Sequence, residues 1–422
     1  MHPFVRLVGI MAVFVLAALG WVVLGGVMSS RTTDQRATLD GRVADLWGSP
    51  QTQAAPVFEL HWTEQETRTE QITDANGHTS TKKTLESVQR AQAVDPMQSR
   101  IGVDLRLDQR RKGLLWFSLY DVSFRGAWKY RHMAEAPRDL RLAFALPDKS
   151  GIYDDFRFVV DGVDLAPLLR PKDGLVATTV AVKPGQTLAL EVTYRSRGMQ
   201  EWKYLPTTEV GQIEDFSLEM RTDFSEIDFP RLTMSPSNKT SNGKGHELEW
   251  KFSRLVAGYG IGMVMPSHIQ PGDLAAHMSF TAPISLGLFL VFIYVITLLR
   301  KIDLHPMNFL LVAAGFFSFN LLFSYTADRL PVEAAFLLSS AVSVGLVASY
   351  LRLVVGPRFA LVEAGMAQLV YQVGFSVAHF YDGYTGLSIT VLVILTLFLL
   401  MQLTGRLSWS SVFARRDAQF AQ

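Results

Sequence analysis

An uncharged stretch near the start of the chain, residues 7–27, constrains the fold more than any other feature. A helix rises about 1.5 Å per residue, so this stretch can cross a hydrocarbon layer about 30 Å thick. A cleaved signal peptide is the alternative, but its apolar region is usually about 7–15 residues long and ends in a small-residue cleavage site. Gly25-Gly26-Val27-Met28-Ser29 matches such a site poorly. We therefore expect an uncleaved transmembrane anchor helix over residues 1–28.

Five further apolar stretches lie near the C-terminus, and each is long enough to span a membrane. They cover residues 279–299, 307–325, 334–351, 359–378 and 384–404. The connections between them are only a few residues long, so neighbouring helices should pack antiparallel. The sequence thus predicts a five-helix transmembrane bundle over residues 279–405, followed by a cytoplasmic tail over residues 406–422.

The lysines and arginines beside these stretches predict an orientation, because cytoplasmic loops carry an excess of both. If the N-terminus is cytoplasmic, eight of these residues lie inside and only Arg329 lies in a short outer loop. The inner residues are Arg6, Arg300, Lys301, Arg352, Arg358, Arg406, Arg415 and Arg416. We therefore expect cytoplasmic N- and C-termini and an outer location for residues 29–278, which are too long to count in this rule.

Residues 29–278 have the pattern of a soluble β-rich domain. Val103, Leu105 and Leu107 alternate with polar residues, and similar alternation recurs between turn signals such as Pro184-Gly185. Residues 65–83 are typical of an exposed loop or a hairpin around Asn76-Gly77. The expected fold is an antiparallel β-sandwich-like domain, either single or divided into two sub-domains near residues 198–211.

Composition and motifs exclude several kinds of chemistry. The net charge of +1 gives no indication of nucleic acid binding. Without cysteine, disulfides, thiol nucleophiles and thiolate metal sites are impossible. The chain contains no HExxH, P-loop, GxSxG or GxGxxG motif, and its histidines lack the spacing of a helical metal site. We expect no catalytic residue, no cofactor and no metal.

Glu363 is the most unusual polar residue, because an ionisable group inside a membrane helix is costly and often functional. It lies close to the predicted cytoplasmic end, where a structural pair with Arg358 or Arg352 is the alternative. Gln368 and Gln372 follow it, four residues apart and so on one helix face.

The predicted outer loops contain a second set of polar candidates, namely Asp328, Arg329, His379 and Asp382. Tyr381 and Tyr384 flank Asp382 and fit an aromatic belt at the membrane surface. An ion pair between Arg329 and Asp382 would join the two loops, whereas a genuine site at this surface is the other hypothesis.

Several short segments together resemble the CreD family of bacterial inner-membrane proteins. The most specific is Leu304-His305-Pro306-Met307-Asn308-Phe309-Leu310-Leu311-Val312, which is similar to the family's entry into a membrane helix. The others are Ser324-Tyr325, Tyr350-Leu351-Arg352, Tyr381-Asp382-Gly383-Tyr384 and Trp250-Lys251-Phe252. Phe229-Pro230-Arg231 and Thr326-Ala327-Asp328 depart from the family pattern. The resemblance implies a role in cell-envelope integrity and stress response at the bacterial inner membrane, with no established catalytic activity.

The expected function is therefore that of a non-enzymatic inner-membrane protein whose periplasmic domain binds a partner. Membrane lipid and a periplasmic or envelope protein are the expected partners. The alternative is a component of a transporter or channel that uses the C-terminal bundle, although no inverted repeat is visible. An intramembrane enzyme ranks third, because the sequence contains no evident pair of nucleophile and base.

Overall fold

A computed structural model describes residues 3–73, 79–112, 115–207, 211–381 and 383–405. The chain forms two compact units. The membrane unit comprises residues 1–39, 112–115 and 269–422, and the β unit comprises residues 40–111 and 116–268. These divisions lie about ten residues from the expected ones, at 39/40 and at 268/269.

The first helix is much longer than an anchor requires. α1 runs from Pro3 to Trp47, 45 residues in all, which is about 68 Å at 1.5 Å per residue. Residues 29–47, which the sequence placed in the β-rich domain, are therefore helical, and residues 29–39 belong to the membrane unit while residues 40–47 belong to the β unit. Leu39, Val43 and Trp47 recur at helical spacing, and Val43 is buried. A polar sequence with one such row of apolar residues continues the helix beyond the hydrophobic stretch.

Four regular helices follow in the C-terminal part of the membrane unit. They are α2 (Pro271–Leu299), α3 (Pro306–Thr326), α4 (Val332–Val354) and α5 (Thr385–Thr404). Together with α1 they are the five described helices long and apolar enough to cross a membrane. The predicted span at 359–378 is helical but not regular, so the expected five-helix bundle is instead four regular helices and one irregular segment.

The irregular segment covers residues 359–380. It contains two π-helical stretches, Phe359–Ala364 and Leu369–Gly374, separated by the short α-helical stretch Gly365–Gln368. Its backbone keeps right-handed helical angles at each junction, so the helical path is continuous. π-Helical turns of this kind are rare and are often found at functional sites.

The β unit contains fifteen strands in three sheets, within the residues described. The strands are β1 (Gln51–Ala54), β2 (Val57–Thr73), β3 (Thr79–Val94), β4 (Gln98–Lys112), β5 (Leu115–Arg131), β6 (Arg138–Ala145), β7 (Tyr153–Val160), β8 (Val163–Asp164), β9 (Leu175–Val182), β10 (Thr187–Met199), β11 (Glu201–Leu205), β12 (Gly211–Thr222), β13 (Asn238–Ser241), β14 (His246–Ala257) and β15 (Ile261–Val264). The sheet orders are β1-β11-β15, β3-β2-β6-β9 and β13-β14-β12-β4-β5-β10-β7-β8.

Most neighbouring strands are antiparallel, as the sequence predicts. Two pairs are parallel, β1 with β11 and β4 with β12. The segment around residues 65–83 is a hairpin of β2 and β3, and its expected turn at Asn76-Gly77 lies outside the described residues.

One hydrophobic core fills the β unit. Phe124 stacks on Tyr194 with ring centroids 5.0 Å apart, and its ring also lies 6.4 Å from that of Trp202. The same core includes Phe216 and Trp250, beyond residues 198–211, where a division into two sub-domains was one alternative. From Tyr120 to Tyr130, alternation along β5 places every second position on the side of this core.

We predict that two glycines on adjacent strands respond oppositely to alanine. A Cβ at Gly126 would lie 2.1 Å from the ring of buried Trp128, whereas one at Gly102 would lie 3.7 Å from Arg125. Gly126→Ala should therefore destabilise the β unit by about 1–3 kcal/mol through overpacking. Gly102→Ala should leave its stability unchanged or slightly raised. Thermal unfolding of the full chain in detergent, followed by circular dichroism, measures both, and equal effects would contradict this description of the core.

Candidate functional site

The outer face of the eight-stranded sheet carries a charged concavity of about 380 Å³. Period-two alternation builds it, because Ile101, Val103 and Leu105 enter the core and their neighbours on β4 face outward. The polar lining includes Arg100, Asp104, Arg125, Glu191, Glu219 and Arg221. We call these six residues and the small residues between them the charged face.

Small residues form the floor of the charged face. Gly102 on β4 is in register with Glu219 on β12, and Ser217 is in register with Arg100. Ala127 on β5 faces Glu191 on β10. Since these short side chains lie between longer charged ones, the sheet surface remains open to a ligand at this point.

Each arginine of the charged face has a carboxylate beside it. Arg125 lies 3.2 Å from Asp104, and Arg100 lies 2.7 Å from Asp215. Arg221 pairs with Glu219 and, on the adjacent strand β14, lies 3.4 Å from Glu247. Exposed pairs of this kind are weak in water, so a ligand with suitable charges can replace the partner.

Two carboxyl groups lie side by side at this surface. A hydrogen bond between Glu219 and Glu247 raises the pKa of Glu219 and lowers the pKa of Glu247. Hydrogen bonds from Gln98 and then Arg100 lower the pKa of Asp215. The charged face thus offers guanidinium donors and carboxylate acceptors side by side, which suits a ligand that carries both signs of charge.

Glu363 lies in the first π-helical stretch and binds a different arginine from the two suggested by the sequence. Its partner is Arg300, at the end of α2. The Glu363 side chain is only 13% exposed, whereas that of Arg300 is 50% exposed. The second carboxylate oxygen of Glu363 is buried without a hydrogen bond to any described residue. The pairing with Arg358 or Arg352 was wrong, because packing between helices, not chain proximity, selects the partner.

The outer-loop candidates do not form one cluster in the described residues. Asp328 binds Arg31 of α1 at 3.1 Å, and His379 Nε2 lies 2.8 Å from the hydroxyl of Thr281 on α2. Asp382 lies outside the described residues, so its pairing with Arg329 stays a prediction. Asp328 and His379 each join a different pair of elements of the membrane unit.

Sequence analysis missed the centre of a buried polar network, Ser343 on α4. Its hydroxyl donates to the carbonyl of Gly315 at 2.8 Å and lies 2.9 Å from Gln372 Oε1. Gln368 Nε2 donates to both Ser343 Oγ and Gln372 Oε1, at 3.0 and 2.7 Å. Gln372 Nε2 donates to the carbonyl of Phe316 on α3 at 2.6 Å. The glutamine spacing suggested one polar face, and the run Ser339, Ser340 and Ser343 was the signal for its partner.

Polar contacts also fasten α1 to the bundle at three levels. The buried Arg6 donates to Thr297 Oγ1 at 2.7 Å, and Trp21 Nε1 donates to Asn320 Oδ1 at 3.0 Å. The pair of Arg31 and Asp328 is the third. Hydroxyl, amide and guanidinium groups of this kind can hold helices together or provide sites for polar solutes. Among the described residues, no cluster of three His, Asp or Glu side chains is arranged to bind a metal.

We predict that the buried serine of α4 stabilises the membrane unit and that an exposed serine on the same helix does not. Ser343→Ala removes hydrogen bonds to α3 and to the irregular segment, and should lower stability by about 0.6–1.7 kcal/mol. Ser349, which is exposed and bonds only within its own helix at Leu346, is the matched control. Unfolding of both variants in mixed micelles measures the difference, and equal losses would show that the network contributes nothing.

The comparison with protein families agrees with the resemblance found in the sequence. No curated protein matches the chain. One similar solved structure is the crystal structure of a Legionella pneumophila protein to which nutrient binding is provisionally assigned. Its sequence is 9% identical, the TM-score is 0.28, and the match covers 47% of this chain and 74% of that chain. The family model of the inner membrane protein CreD matches residues 2–410. The chain therefore belongs to the CreD family of inner membrane proteins.

Proposed function

We propose that this protein supports cell-envelope integrity under stress by binding a partner on the periplasmic side through its β unit. The observation that carries the proposal is the charged face, an open concavity on a sheet whose other face is fully occupied by the core. The protein acts by binding and not by catalysis, and membrane lipid surrounds its other unit.

The charges indicate the class of partner. Arg100, Arg125 and Arg221 present planar donors that match carboxylates, while Asp104 and Glu191 accept from amines. A peptide or protein segment with both signs of charge fits this arrangement better than a polyanion, which the carboxylates would repel.

The packing of the helices supports the proposed orientation. Arg6 contacts Thr297 near the end of α2, and Tyr350 near the end of α4 donates to Asn308 at the start of α3, at 2.9 Å. Glu363 and Arg300 meet at the same end. Arg6 and Arg300, two of the arginines assigned to the cytoplasm, therefore lie at one end of the bundle, which supports a cytoplasmic surface there under the positive-inside rule.

A component of a transporter or channel is the second candidate, favoured by the polar interior of the bundle. Gln368, Gln372 and Ser343 are almost completely buried, and the carbonyl oxygen of the Gln368 side chain has no hydrogen bond to a described residue. Polar groups at such depth commonly line solute pathways. The same groups also hold helices together, so the β unit remains the basis of the preferred function.

We predict that the charged face tolerates charge reversal less well than another exposed ion pair on the same sheet. Arg125→Glu places a second carboxylate beside Asp104. It should lower survival under envelope stress, and it should lower crosslinking to neighbouring proteins at least about tenfold. A tenfold loss of binding corresponds to about 1.4 kcal/mol. Arg197→Glu is the control, because Arg197 is 64% exposed against 62% for Arg125 and pairs with Asp121 at 3.0 Å.

Both variants should reach the membrane in normal amounts. If Arg125→Glu and Arg197→Glu behaved like the wild-type chain, partner binding at the charged face would be rejected. A transport assay tests the second candidate. If Gln372→Ala lowered transport while Arg125→Glu changed neither survival nor crosslinking, the second candidate would replace the first.

The proposed topology predicts where reporter proteins become active. A reporter that works only in the periplasm should be active when fused at Ser150 in the β unit and inactive at Lys301 or at the C-terminus. The reason is the excess of arginine and lysine at one end of the bundle. Activity at the C-terminus would contradict an even number of membrane crossings.

A further inference from the structure

The hairpin of β2 and β3 extends well past the sheet to which it belongs. β2 pairs with β6 only from Val57 to His61, but it pairs with β3 as far as Thr73. The twelve residues 62–73 and their partners on β3 form a two-stranded ribbon, which is about 40 Å long at about 3.3 Å per residue. We call this part of the hairpin the ribbon.

The described side chains of the ribbon, those of residues 62–69 and 83–90, are mostly polar on both sides. One side carries charges that pair across the strands, Arg68 with Glu86 at 3.2 Å and Arg90 with Glu64 at 3.3 Å. The opposite side carries hydroxyls and amides such as Thr63 and Gln89, which are joined by a hydrogen bond of 2.9 Å. A two-stranded ribbon without a hydrophobic side is only marginally stable in water, so a further strand beside it would stabilise it.

The outer edge of the ribbon offers a place for that strand. β3 is the terminal strand of its sheet order, and β2 pairs with its other edge. The backbone groups on the free edge of such a strand are a template for pairing with another chain. We propose that β3 of one copy pairs antiparallel with β3 of a second copy, about a two-fold axis at Thr84.

Charge selects this register. Backbone geometry requires the axis of an antiparallel pair to pass through a residue position. An axis at Thr84 puts position 82 of each copy, a lysine in the sequence, in register with Glu86 of the partner subunit, and the paired length stays within the ribbon. An axis at Lys83 or at Glu86 would place that residue directly opposite the same residue of the second copy. Two like charges in facing positions are unfavourable.

One other register has complementary charges. An axis at Val88 would place Glu86 opposite Arg90 of the partner subunit. It would, however, carry the pairing beyond the ribbon, since Gln92 lies opposite Leu60, where β2 also pairs with β6. The axis at Thr84 keeps the pairing within the ribbon and therefore fits the structure better.

Because the chain has no cysteine, a single introduced thiol tests the proposal without interference. Residues that face each other in antiparallel strands have Cα atoms about 4.5–5.5 Å apart, within the range of about 4.4–6.8 Å that a disulfide requires. The full-length Thr84→Cys variant, oxidised gently in native membranes, should therefore form a covalent dimer. Val88→Cys on the same strand is the control, because its two copies would lie about 26 Å apart along the strands.

Charge exchange provides the second test. In the Thr84→Cys background, Glu86→Lys should lower the crosslinked fraction at least about fivefold, because it sets lysines against each other. Adding Lys82→Glu should restore it. The proposal would be overturned if Thr84→Cys formed no dimer in correctly inserted protein, or if Val88→Cys crosslinked as well as or better than Thr84→Cys. It would also be overturned if the double charge exchange did not restore crosslinking. The result does not depend on whether the charged face binds a partner.

Discussion

Hydrocarbon offers no hydrogen-bond partners, so a polar group that enters it is costly unless it finds a partner within the protein. This constraint determines how α1 is held. Arg6, Trp21 and Arg31 occupy three levels of the helix, and each meets a polar group of another helix or helix end, namely Thr297, Asn320 and Asp328. The 25 residues from Arg6 to Arg31 span about 38 Å, which is slightly more than the hydrocarbon thickness. The N-terminal helix is thus an integral part of the bundle.

The same constraint explains the irregular segment. Residues 359–380 carry the polar residues Glu363, Gln368 and Gln372. π-Helical stretches alternate with α-helical ones there, and the two glutamines converge with Ser343. A wider turn changes which side chains share a face, so local backbone irregularity and the polar network occur together.

Periodicity predicted those parts of the fold that depend on burial. Alternation at Val103, Leu105 and Leu107 indicated strands, and apolar runs indicated six membrane helices, of which α1 to α5 are regular. The sequence did not predict the extension of α1 to Trp47, because a polar helix with a narrow apolar row resembles a linker. Nor did it predict that Glu363 binds Arg300, since the two are 63 positions apart and only packing brings them together. The π-helical stretches carry no periodic signal of their own.

The β unit is subject to a different constraint, because water, and not hydrocarbon, lies on one side of its sheets. Its core accepts aromatic residues such as Phe124 and Trp202, while the outer surface can be charged without penalty. The residues of such a surface can therefore vary without loss of the core. The charged face and the ribbon are two regions where the outer surface differs from that of ordinary solvated strands. The first provides an open floor between paired charges, and the second provides a free strand edge.

Accessibility of the charged face in living cells tests the central claim most directly. Ser217→Cys places a single thiol on its floor, and a maleimide that cannot cross the inner membrane reports whether that thiol is exposed. The account predicts labelling after the outer membrane alone is opened, at a slower rate in cells than in purified protein because a partner covers the site. Labelling only after the inner membrane is broken would contradict the proposed topology, and equal rates in cells and in purified protein would contradict partner binding.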